Sequence, residues 1–137
     1  MESHASRCLA RLAVALITAD GRVTPAEDAA LTRLDTLGFG TVSHLARREI
    51  RNPTAAPPDL RVACAWLAES DPRTTAAIVR ALAELAACDG RVSLAEIAVL
   101  NDVARLLGLR VRDARHLLNA AITTRAATGA GLAAERR

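Results

Sequence analysis

Ala19-Asp20-Gly21-Arg22-Val23-Thr24-Pro25-Ala26-Glu27 comes back as Cys88-Asp89-Gly90-Arg91-Val92-Ser93-Leu94-Ala95-Glu96, at a constant offset of 69 residues. Leu16 and Leu85, Ala29 and Ala98, and Leu31 and Leu100 extend the match to both sides. Further on, Leu37-Gly38-Phe39 answers Leu107-Gly108-Leu109 after a one-residue slip. Two copies fall short of the three or more units of a solenoid. They imply two equivalent helix pairs about a pseudo-two-fold axis: an all-α chain with internal duplication of a helical pair.

Each copy carries its own punctuation. Leu9, Leu12, Ala13, Leu16 and Ile17 fall at helical spacing and run into Asp20-Gly21, where glycine suits the left-handed residue that closes a helix. Thr24 then caps the next helix, with Pro25 at its first position and Glu27 three residues after the cap. Thr24-x-x-Glu27 is a capping box, and Ser93-x-x-Glu96 repeats it. Leu31, Leu34 and Leu37 continue to Gly38; Val99, Leu100, Val103, Leu106 and Leu107 continue to Gly108. The remaining helices are expected over Thr41–Ile50, Leu60–Glu69, Asp71–Cys88 and Val111–Thr124, with a Pro-rich loop from Asn52 to Pro58. About seven helices form one compact bundle over residues 1–127, and residues 128–137 read as a flexible tail. No segment alternates as a strand would.

Composition points the same way. In 137 residues, 51% are hydrophobic but only 1% aromatic, so the core is built from Leu, Val, Ile and Ala. Trp66 is placed in that core by its apolar neighbours Leu60, Ala63 and Leu67. All eighteen basic residues are arginine, scattered along a chain of net charge +3. Neither a reading module nor aromatic interleaving accompanies them, so nucleic-acid binding is not expected. Cys8, Cys64 and Cys88 show no C-x-x-C spacing and read as buried, reduced thiols. Leu12–Ala19 could pass for a signal-peptide core, but a matching stretch, Ile78–Cys88, recurs in mid-chain and both read as structure.

Four acids stand out by repetition: Asp20, Glu27, Asp89 and Glu96. Capping explains the glutamates without any metal. The aspartates are less comfortable, because each sits at a helix C-terminus, where the macrodipole opposes a negative charge by roughly 0.3–1 kcal/mol. Three kinds of partner are available: the neighbouring Arg22 and Arg91, the free N–H groups of the following helix, or a cation. If the two corners face each other, four oxygen donors converge, a set suited to Ca²⁺, Mg²⁺ or Mn²⁺. The spacing is not that of an EF-hand.

The doubled Asp-Gly-x-Val-[Ser/Thr]-x-x-Glu block, in a chain of this length, resembles the TerB-like domain of tellurite-resistance proteins, which also occurs at the front of the DjlA membrane co-chaperones. The resemblance spans roughly Leu9 to Ile122. It implies an all-helical, non-enzymatic stress-response or regulatory domain in the cytoplasm. It further implies protein partners, peripheral association with a membrane complex, and divalent-metal binding at Asp20, Glu27, Asp89 and Glu96. The chain departs from better-known members in its arginine-only basic content and its excess positive charge.

Two rival readings remain. In one, the chain is a metal-free protein-interaction module whose acids only cap helices. The other is a hydrolase, which would need His44 or His116 near the acids. Ser43-His44 lacks a G-x-S-x-G elbow and Gly38-Phe39-Gly40 lacks the lysine of a phosphate loop, so no catalytic residue is assigned.

Overall fold

The computed structural model describes residues 4–53 and 59–135, and the side chains among them up to Thr124. Among these there are seven α-helices: α1 (His4–Ile17), α2 (Pro25–Ala30), α3 (Val42–Arg51), α4 (Leu60–Leu67), α5 (Pro72–Ala86), α6 (Leu94–Leu106) and α7 (Val111–Glu135). A 3-10 segment, Leu31–Leu37, continues α2. No strand occurs among the described residues, and none of their helices is long and apolar enough to cross a membrane.

The helix α1 is the axis of the bundle. It packs against α3, α4, α5 and α6. Leu9, Leu12, Ala13, Leu16 and Ile17 are buried together with Ile78, Val79, Leu82 and Ala83 of α5 and Leu100, Val103 and Ala104 of α6. Small alanines on the facing surfaces let these helices approach closely and bring leucines into contact. The three cysteines are buried and free. Burial pushes the Cys64 thiol up to about 11, with the nearby Cys8 thiol adding to the shift.

The two second helices are not alike. The helix α6 runs regularly for 13 residues, whereas α2 stops after six and gives way to seven residues of 3-10 helix. The side chains give the reason. Leu31, Leu34 and Leu37 recur every three residues, which is the period of a 3-10 helix, and the first two are fully buried. Where α6 buries Ala104, the first half carries Asp35. The Asp35 carboxylate accepts from the Ser43 N–H at 2.9 Å and from the Ser43 hydroxyl at 2.6 Å, so it caps the start of α3 from outside.

Trp66 is not core: it is 54% exposed. The buried face of α4 is Ala63, Cys64 and Leu67, and Trp66 lies to one side of that stripe. The last helix runs on to Glu135 instead of ending near Thr124. Its alanine-rich stretch from Ala126 to Ala134 carries it through Gly129 and Gly131, each costing about 1 kcal/mol relative to alanine. Most of the Pro-rich loop expected over Asn52–Pro58 lies outside the described residues, as does the end of the 128–137 tail.

Candidate metal centre

The two Asp-Gly corners are built in the same way. After α1, the Ala19 N–H bonds to the Leu16 carbonyl and the Gly21 N–H to the Thr18 carbonyl. After α5, the Cys88 N–H bonds to Leu85 and the Gly90 N–H to Ala87. Gly21 (φ +79°) and Gly90 (φ +81°) then take the left-handed conformation that turns the chain. Both capping boxes are complete. Thr24 Oγ1 accepts from the Glu27 N–H at 3.1 Å, and the Thr24 N–H donates to Glu27 Oε1 at 3.0 Å. In the second corner Ser93 Oγ accepts from the Glu96 N–H at 3.0 Å, and the Ser93 N–H donates to Glu96 Oε1 at 3.1 Å.

A capping box uses one carboxylate oxygen, and what happens to the other is the feature that sets this site apart. Glu27 and Glu96 are buried to 2% and 4% exposure. In each, the second oxygen, Oε2, is buried and has no hydrogen-bond partner. Burial pushes the Glu27 carboxyl above its ordinary range against the Thr24 hydrogen bonds, and the charges of Asp89 and Asp20 push it further. Glu96 is raised by burial against its Ser93 hydrogen bonds, with Glu27 and Asp20 adding their charges. The corners therefore sit close enough for their acids to act on one another.

The aspartates find the local partner that the sequence left open. Asp20 Oδ1 accepts from the Arg22 backbone N–H at 3.0 Å, and Asp89 Oδ1 accepts from the Arg91 backbone N–H at 3.0 Å. Both bonds are exposed, and the arginines contribute their main chain rather than their guanidinium groups. No three His, Cys, Asp or Glu side chains among the described residues form a group able to hold a metal ion. The four acids are thus electrostatic neighbours without being an assembled cage. Their chemistry fits a hard cation, since all the donors are oxygen and two of those oxygens are buried without a partner.

Nothing catalytic joins them. His44 on α3 and His116 on α7 are exposed, and neither contributes to the shifts of the two glutamates. An open cleft of about 300 Å³ between the α4–α5 and α6–α7 turns is lined by Ser70, Thr75, Arg110 and Asp113 and contains none of the four acids.

The family model for tellurite resistance protein TerB matches residues 6–119, a span that takes in both corners. The chain belongs to the TerB family. Comparison with curated proteins and with solved structures gave no match. TerB domains are generally not a classical enzyme family, and the helical architecture above is consistent with an all-α TerB domain.

Proposed function

We propose that this TerB domain works without catalysis, as a regulatory domain in a cytoplasmic stress response, and that its two Asp-Gly corners take up a divalent cation. Ca²⁺, Mg²⁺ and Mn²⁺ are the ions whose ligand preferences match. The observation that supports this reading is the pair of buried, unpartnered Oε2 atoms on Glu27 and Glu96. A buried acceptor without a partner costs about 1–3 kcal/mol, and more when charged. A cation shared by the corners would remove that cost at both glutamates. Asp20 and Asp89 would complete the ligand set from the solvent side, each through the oxygen its turn does not use. Because no three of these side chains stand grouped, uptake would have to draw the corners together, and that movement is what a protein partner could read.

The completeness of both capping boxes favours a second reading, a metal-free interaction module in which the acids only cap helices. Calorimetric titration with Ca²⁺, Mg²⁺ and Mn²⁺, on the parent chain and on the Asp20→Asn/Asp89→Asn double variant, separates the two. Saturable heat in the parent and its loss in the variant are expected from cation uptake. No heat and no melting shift at millimolar metal would leave the metal-free module.

A further inference from the structure

The strongest unexplained surface lies away from the acids, on α4. Val62 and Trp66 are 52% and 54% exposed. They stand four residues apart, hence on one face of the helix, with exposed Ala65 between them. Single exposed apolar residues are ordinary; Leu94, at 85%, is one of these. Here, however, the chain's single tryptophan shares a helix face with a second large apolar residue.

The charge around this face is one-sided. The ring of His4 lies 4.2 Å from that of Trp66, tilted by 54°, which sets the exposed stripe of α1 beside α4. That stripe continues through Arg7 and Arg11, and Arg61 precedes Val62 on α4; all three are exposed. Among the described residues no carboxylate pairs with the guanidinium group of any of them. By contrast Arg47, Arg80 and Arg105 each have an acidic partner. Asp59 and Glu69, at the two ends of α4, are the acids that bound the patch, and Asp59 is engaged as the cap of α4.

We propose that the Val62–Trp66 face of α4, with Arg7, Arg11 and Arg61 around it, docks an acidic amphipathic helix of a protein partner. Tryptophan and arginine are the side chains that most often dominate binding energy at protein interfaces. A partner helix can set apolar residues at i and i+4 over Trp66 and Val62 while its flanking Asp or Glu side chains meet the three arginines. At eight residues α4 is about 12 Å long, so some two turns of partner would cover it. Nucleic acid fits less well. Val62 and Ala65 have no use for a phosphate chain, the Trp66 ring is already in contact with His4, and Asp59 and Glu69 repel a polyanion at both ends.

The test uses the full chain in chelator at low salt, which keeps it independent of the acidic corners. Trp66 itself is the reporter. The probes are a 16-residue peptide of Leu, Ala and Glu with helically spaced leucines, and its counterpart with Lys in place of Glu. Phosphatidylserine vesicles and a single-stranded oligonucleotide serve as rival ligands. The expected result is a saturable blue shift of Trp66 emission with the Glu peptide alone. Affinity should fall about ten-fold or more in the Arg7→Glu/Arg11→Glu/Arg61→Glu variant and weaken as salt rises. Calorimetry with the Trp66→Ala variant should show the same loss. No shift at millimolar peptide, equal binding of the Lys peptide, indifference to the arginine substitutions, or tighter binding of vesicle or oligonucleotide would each overturn the proposal.

Discussion

Glu27 and Glu96 each give one oxygen to a helix cap and bury the other without a partner, and the charge of Glu27 helps to hold the Glu96 carboxyl above its ordinary range. Each glutamate therefore stabilises its own helix start while opposing the other corner.

Stability in the absence of divalent ions should run against the common acid-denaturation trend at these two sites. Both glutamates have a folded-state pKa raised from 4.5, so between that value and the raised one the folded chain holds more protons than the unfolded chain. Their contribution is greatest at low pH and is lost as pH rises through the raised range. In chelator, Tm at pH 7 should rise in Glu27→Gln or Glu96→Gln, and its decline as pH climbs through the raised range should flatten. A parent-like pH profile in both variants would show that neither carboxyl is raised in the folded chain.

Removing a cap tests the helix starts separately. Thr24→Ala and Ser93→Ala should each lower stability by about 0.5–2 kcal/mol, with or without chelator. Urea denaturation provides the measurement. A loss that appears only with metal present would mean that the hydroxyls serve the ligand set and not the helix.

The corner glycines isolate backbone cost from packing. A methyl group at Gly21 or Gly90 would meet nothing within 4 Å, so Gly21→Ala and Gly90→Ala carry only the left-handed penalty of about 1–2 kcal/mol. Asparagine, which tolerates that conformation, should cost less at either position. Equal losses for alanine and asparagine would point to a cause other than φ.

The thiols should be silent in the folded chain. Cys64 is fully buried with its pKa near 11, and Cys8 is also raised by burial, against the charges of Arg11 and Arg7. Ellman's reagent at pH 8 should react slowly with the native protein and count three thiols after denaturation. Rapid native labelling would contradict the packing of α1 against α4.

The helix starts and stops were legible because they depend on neighbours in sequence: Gly21, Thr24 and Glu27 carry their geometry in their spacing, and so do Gly90, Ser93 and Glu96. The fate of Glu27 Oε2 was not legible, because burial of a single atom depends on tertiary packing and not on neighbours in sequence. For the aspartates the sequence offered local partners as well as a cation, and it is the Arg22 and Arg91 backbone N–H groups two residues on that satisfy one oxygen of each. Trp66 was misplaced because an apolar residue near a buried stripe reads as part of it, and only the His4 contact and the burial of Ala63, Cys64 and Leu67 show which way the helix is turned. The 3-10 segment was hidden in Leu31, Leu34 and Leu37, whose spacing by three fits either helix type until Asp35 turns to Ser43.

That segment makes the two corners mechanically unequal. Glu96 is anchored in 13 residues of continuous α-helix, while Glu27 rides on six residues backed by a 3-10 stretch, a form with weaker hydrogen-bond geometry. A force drawing the corners together would be absorbed first on the Glu27 side, one arm yielding while the other served as the anvil. Amide exchange should read this compliance directly, with protection lost over residues 31–37 before residues 94–106.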